Sequence, residues 1–279
     1  MDSHSYTKFI GNEVLQNNDL GEEFNAKVLL AFHGFGQSAS VYKMLIELYP
    51  DIIIYSFDLF AHGESKWDTT NYNYSPEAFK QELHQLFEKE QIQCFDVIAF
   101  SIGCRLALAT AAFFPERVNK LCLVAPDGIY ENVWYHFATK NWLGNYLFRQ
   151  FTKHEKWLYT TTKIFNKYRI VDEKLLKVAE KVVHFYSLKK VYTTWMLYRH
   201  FTFGTRKVFS DLFDANKHVW LVTSNNDEVI LENKLRLKLE KLGVLSKIKV
   251  ISFVVYHQRL LRHSLNSSEL GSFFTENDC

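Results

Sequence analysis

A serine stands between two apolar stretches of this 279-residue chain, at a point where the backbone must change form abruptly. Upstream, Phe95 to Phe100 (FDVIAF) is rich in Phe, Val and Ile and predicts a buried strand. Downstream, the run from Cys104 to Ala112 (CRLALATAA) is a strong helix former that stops before Pro115. Between them lies Ala99-Phe100-Ser101-Ile102-Gly103. A strand that becomes a helix within two or three residues strains its middle residue and needs small neighbours, because the two backbones nearly touch. Ala99 and Gly103 are small, and Ser101 is the residue pushed out. The free N–H groups of the helix start would favour negative charge developing beside it. A serine that merely caps a helix would sit in the same place, so the residues able to activate it decide the matter.

A serine hydroxyl attacks a carbonyl at neutral pH only with a general base in hydrogen-bond reach and a carboxylate to orient that base. Two loops late in the chain offer these groups. Asp227 lies in Ser224-Asn225-Asn226-Asp227, after the apolar run from His218 to Thr223. His257 follows the run from Lys247 to Val254. His263 is a second candidate base, and Glu228 and Asp127 are further candidate acids; Asp227 and His257 are preferred for their places at the ends of strands. His33 and His62 are expected to pack loops and Asp58 to hold a turn.

Positioning these groups requires a sheet whose loops share one edge. Continuous apolar runs recur at Lys27–Phe32, Asp51–Phe57, Phe95–Phe100, Leu121–Ala125, His218–Thr223 and Lys247–Val254. Helical patterns separate them over 40–48, over Pro76–Lys89 with Ser75 as its cap, after Ser101, over 229–242 and over 264–276. The alternation predicts an α/β fold with a doubly wound, mostly parallel sheet. Two short strands joined by the polar turn Asn17-Asn18-Asp19 are expected near the start.

The alternation fails between residues 134 and 207. That stretch reads as successive helices over about 134–151, 154–168, 172–185 and 187–202. It holds 15 Lys and Arg against 4 Asp and Glu, and 18 of the 45 aromatic residues. Such a change predicts an inserted all-helical cap. The expected division is a core over 1–127, the cap over 128–207 and the rest of the core over 208–279.

Several separate pieces resemble the α/β-hydrolase family. The family's nucleophile elbow is G-x-S-x-G, with Ala99 standing here for the first glycine. His33-Gly34-Phe35-Gly36 resembles its HG loop, and Asp58 with His62-Gly63-Glu64-Ser65 resembles its D-x-x-G-H-G-x-S turn. Phe114-Pro115-Glu116-Arg117-Val118 is similar to its F-P-E-R-V connection. The resemblance implies an order of serine, acid and histidine along the chain, here Ser101, Asp227 and His257. It further implies an oxyanion hole from the N–H groups of Phe35 and Ile102, and a cap that shapes the substrate pocket. The fragment Phe100 to Leu108 is also similar to the elbow of the menaquinone-pathway synthases, which use the same fold for C–C chemistry.

The expected activity is hydrolysis of an ester, thioester or related acyl bond through an acyl-enzyme. A C–C hydrolase or lyase is the alternative, and a binding module using the basic cap is a third reading. Hydrophobic content of 47% and charged content of 23% are ordinary for a globular protein. No metal-ligand spacing, phosphate loop or cofactor motif is evident, so no cofactor is expected. No apolar run is long enough to cross a bilayer and no secretory leader is visible. A cytoplasmic protein with reduced cysteines is therefore expected. Its expected partner is a small acyl substrate, anionic or carrier-linked, with peripheral membrane contact open and no nucleic acid.

Overall fold

A computed structural model describes residues 3–20, 26–67, 72–130, 133–153 and 187–275. Among these residues seven strands form one sheet: β1 (Tyr6–Ile10), β2 (Lys27–Phe32), β3 (Ile52–Phe57), β4 (Phe95–Phe100), β5 (Val118–Val124), β6 (His218–Ser224) and β7 (Lys249–Phe253). Their order across the sheet is β1-β3-β2-β4-β5-β6-β7. β1 runs antiparallel to β3, and every other pairing is parallel. All seven residues of β5 are buried, as expected of a central strand covered on both faces. β4 lies between β2 and β5, with Ala99 opposite Phe32 on one side and Leu123 on the other. Because β2 to β7 are mutually parallel, the loops that leave their carboxyl ends all emerge along one edge.

The chain divides into two compact units, one over 1–67, 75–130 and 201–279, the other over 68–74 and 131–200. The first holds the sheet and the helices α1 (Asn12–Leu20), α2 (Leu45–Leu48), α3 (Pro76–Lys89) and α4 (Cys104–Phe113). The described regular elements of the second are helices: α5 (Val133–Lys140), α6 (Trp142–Lys153) and α7 (Leu188–Tyr198). Returning to the sheet, the chain forms α8 (Thr205–Asp214), α9 (Glu232–Lys241), α10 (His257–Leu265) and α11 (Ser268–Thr275). No described helix is long and apolar enough to cross a membrane.

The start of α3 follows the sequence directly: Pro76 is its first residue, and the Ser75 hydroxyl accepts from the Ala78 N–H at 3.1 Å. Elsewhere the structure corrects the expectations. Asn17-Asn18-Asp19 lie in α1 rather than in a turn between strands. The helix expected over 134–151 is two helices, because the Asn141 side chain accepts from the N–H groups of Leu143 and Gly144 and starts α6. Helix α8 is an addition to the expected elements, and the expected last helix is the end of α10 followed by α11. The helices expected over 154–168 and 172–185 fall largely outside the described residues. Cys94 is disulfide-bonded, against the expectation of reduced cysteines, while Cys104 and Cys122 are free and buried.

α11 is moored to the sheet through the carbonyls of its last turn. Lys27 Nζ donates to Phe274 O and Thr275 O at 3.1 and 3.2 Å, and Lys120 Nζ reaches Phe273 O at 3.5 Å. Cations at a helix C-terminus are stabilised by its dipole. Asp96 accepts from Asn119 Nδ2 at 2.9 Å. Part of its surface still meets solvent, yet burial pushes its carboxyl up to about 6 against the opposing pull of Lys120 and Asn119. The folded chain thus binds more protons than the unfolded chain between about pH 4 and 6, where an ordinary aspartate is already ionised. The contribution of Asp96 to stability therefore falls as pH rises through that window. Relative to Asp96→Asn, the wild type should lose up to about 3 kcal/mol of unfolding free energy between pH 4 and pH 7 in urea titrations. A difference that stays constant across that range would return Asp96 to an ordinary carboxylate value.

Candidate active site

Ser101 occupies the left-handed region with φ +51°, one residue after Phe100 in extended backbone. A non-glycine residue held there costs roughly 1–3 kcal/mol and persists only when its surroundings enforce it. The enforcement is visible at Gly103. A Cβ on that residue would lie 2.5 Å from both Phe32 O and His33 O, so only glycine lets the turn after β4 press against the end of β2. On the other side, the Asp127 N–H donates to Ser101 O at 3.2 Å. Cys104 Sγ donates to Ala99 O at 3.4 Å from the first turn of α4.

His257 is the first residue of α10 and Asp227 lies in the loop after β6. His257 Nε2 stands 3.0 Å from Ser101 Oγ, and His257 Nδ1 stands 2.7 Å from Asp227 Oδ2. An ionised carboxylate only accepts hydrogen bonds, so Nδ1 carries the proton and donates to Asp227. In the neutral ring Nε2 is then the acceptor, turned toward the serine hydroxyl. The other carboxylate oxygen, Asp227 Oδ1, accepts from the N–H groups of Val229 and Ile230, each at 2.8 Å. Those bonds hold the carboxylate in one orientation while its side chain is almost fully buried. The His257 ring also lies against Phe100, with centroids 5.0 Å apart.

Two positioning residues give no signal in the sequence. Ser224 Oγ donates to Val255 O at 2.5 Å and accepts from Val255 N–H at 3.0 Å and Asn226 N–H at 3.2 Å. It ties the loop carrying Asp227 to the loop carrying His257. Arg105, in the first turn of α4, is completely buried, and its guanidinium grips both oxygens of Asp127 at 2.8 and 3.0 Å. Asp127 is therefore engaged away from His257, and its backbone braces the serine turn.

The remaining candidates take other roles in the structure. His263 lies exposed on α10 with its ring edge-on to Phe253, and Glu228 is exposed. His33 bonds Gly34 O through Nδ1 and accepts from the Leu59 N–H through Nε2, at 2.7 and 3.1 Å. His62 Nδ1 bonds Phe60 O at 3.0 Å. Asp58 accepts from the N–H groups of Ala39 and Glu64 at 2.6 and 2.9 Å. Gly63, at φ +48°, is required there, because a Cβ would meet the Asp58 carboxylate at 2.1 Å. These are the pins of the loops after β2 and β3. Phe35 lies in the loop after β2 and Ile102 in the turn after β4, on adjacent strands. Among the described residues, no group of three or more His, Cys, Asp or Glu could hold a metal ion.

The family model described as the alpha/beta hydrolase fold matches residues 27–191. A Bacillus subtilis (strain 168) protein named as a candidate 2-succinyl-6-hydroxy-2,4-cyclohexadiene-1-carboxylate synthase is 30% identical over 98 residues, which are 35% of this chain and 36% of that one. The chain thus spans about a third of the length of this curated relative. Among solved structures, an α/β hydrolase enzyme from a Medee basin deep-sea metagenome library superposes with a TM-score of 0.62 at 15% identity, over 100% of this chain and 96% of that one. The enol-lactonase from Burkholderia xenovorans LB400 superposes with a TM-score of 0.63 at 13% identity, over 98% of this chain and 96% of that one. With its mostly parallel sheet, its serine turn and a family match over more than half its length, the chain belongs to the α/β-hydrolase fold family.

Proposed function

We propose that this protein is a serine hydrolase that cleaves an ester, thioester or related acyl bond. One observation carries the reading: Ser101, His257 and Asp227 stand in a hydrogen-bonded line of 3.0 and 2.7 Å, with the serine on a strained turn. Ser101 Oγ attacks the acyl carbon as its proton passes to His257 Nε2, and Asp227 stabilises the imidazolium formed. The N–H groups of Phe35 and Ile102 are the donors proposed for the tetrahedral oxyanion. His257 then gives the proton to the departing oxygen or sulfur, leaving an acyl-serine. Water, deprotonated by the same histidine, releases the acid and restores the hydroxyl. No cofactor enters these steps.

Residues 128–207, inserted between β5 and β6, are proposed as the cap, with core segments over 1–127 and 208–279. A second reading rests on the Bacillus subtilis relative, whose name describes a synthase. The same three residues could serve proton abstraction or elimination in place of acyl transfer. Acyl transfer is preferred, because that relative aligns with only 35% of this chain. Turnover of p-nitrophenyl esters with covalent fluorophosphonate labelling supports the hydrolase, and failure of both overturns it.

Ser101→Ala should abolish fluorophosphonate labelling and lower ester turnover by about three orders of magnitude or more, with the melting temperature nearly unchanged. Full labelling of that variant would remove Ser101 from the reaction.

The two aspartates should part company. Asp227→Asn should cut kcat strongly at retained stability, and combining it with His257→Ala should add little further loss, because the residues act as a unit. Asp127→Asn should instead lose stability, by about 3–5 kcal/mol, since it strands a buried guanidinium. An Asp127→Asn protein that folds normally but is inactive, beside an active Asp227→Asn, would reverse the assignment.

A further inference from the structure

Helix α6 turns an apolar face to solvent. Trp142 is 77% exposed, Tyr146 55%, Leu143 43% and Leu147 40%. They form two i, i+4 pairs, 142/146 and 143/147, so they share one side of the helix. The opposite side is occupied: Gly144 presses on Phe137 O, Phe148 packs on Tyr192 and Trp195, and Asn145 bonds Tyr192 and Met196. The exposure is thus not that of an unfolded or loosely held segment. With Phe137 at 37%, five of the eleven large exposed hydrophobic residues found among the described residues fall within eleven positions of one another.

Among the described residues, the charge that accompanies that face is of one sign. The described residues of the helical unit, 72–74, 133–153 and 187–200, carry Lys140, Arg149, Lys153, Lys189, Lys190 and Arg199 and no Asp or Glu. Lys140, Arg149 and Lys153 are exposed. At 100° per residue, Arg149 and Lys153 fall on the same side of α6 as Trp142 and Tyr146, one to two turns further on.

We propose that this face of α6 docks on an anionic phospholipid surface. Trp and Tyr are the side chains that settle at the boundary between headgroups and acyl chains. Two leucines beside them supply apolar area, and the adjacent cations meet the lipid phosphates. A second copy of this chain is a poor occupant, because like charges would face one another across the contact. A folded acidic protein is disfavoured by shape. Four bulky side chains 40–77% exposed on one helix face would need a matching pocket on a protein, whereas a fluid apolar layer accommodates them without one. The proposal goes beyond the hydrolase reading and does not depend on it.

The test is co-sedimentation with vesicles of phosphatidylcholine alone and of an equimolar mixture with phosphatidylglycerol, at low and high salt. The wild type should pellet with the mixed vesicles, weakly with phosphatidylcholine alone, and less as salt rises. Trp142→Gln combined with Tyr146→Gln and Leu147→Gln should reduce binding about tenfold or more. Lys140→Gln, Arg149→Gln and Lys153→Gln should each reduce it about fivefold. Melting curves report whether each variant stays folded. Should the triple variant unfold, quenching by brominated phosphatidylcholine mixed with phosphatidylglycerol reads the same contact. Emission should be quenched in the wild type and measurably less in Trp142→Phe. Wild type that ignores mixed vesicles overturns the proposal, as does equal binding to both compositions. Folded variants that bind like wild type also overturn it. So does self-association, or capture of an acidic protein, through this face without vesicle binding.

Discussion

The contact on which the site depends is the approach of Gly103 to the carbonyls of Phe32 and His33. A Cβ at that point would come within 2.5 Å of both oxygens, a distance no side chain can hold. Without the approach, the turn after β4 would open, and Ser101 would have no reason to remain at φ +51°. The strain of roughly 1–3 kcal/mol stored in that residue is sustained by packing at the centre of the sheet. The position of Ser101 is thus a property of two neighbouring parallel strands more than of the serine itself.

The groups facing the serine are fixed by different means. Asp227 and His257 come from loops after adjacent strands, and parallel pairing of β6 with β7 brings those loops together. Ser224 then locks them through three bonds to the backbone. Arg105 and Asp127 do the corresponding work on the serine's side, where a bidentate ion pair between a fully buried guanidinium and a partly buried carboxylate holds the chain leaving β5 against the start of α4. Breaking such a pair is costlier than never having formed it. This explains how a buried arginine can coexist with an apolar helix whose other buried residues are mostly Leu and Ala.

Much of this arrangement is legible in the amino-acid sequence. Solid apolar runs mark the central strands because both faces are covered, and small residues on either side of Ser101 mark the tight turn. Ser75-Pro76 marks the start of α3 to the residue. Asp227 and His257 are picked out by their places after strands, and they stand within hydrogen-bond reach of each other and, through the histidine, of the serine. What stays hidden depends on distant neighbours. Asn141 reads as one polar residue in a helical pattern until its side chain is seen to cap α6. Ser224 looks like an ordinary loop serine, since its partner Val255 is 31 positions away. Arg105 reads as surface charge on a helix, and only the chain beyond β5 makes it a core residue.

The order of strands leaves β1 and β7 at the margins, each with one side unpaired in the sheet. Such margins are templates on which a stray strand can add, and from there a fibre can grow. Each margin here carries a lysine. Lys8 of β1 is held by Glu90, and Lys249 of β7 lies 3.7 Å over the Trp220 ring while bonding Ser272. An incoming strand would have to dislodge or desolvate an ammonium group at either side. Each open border of the sheet thus carries a charge of the kind that discourages edge-to-edge strand addition.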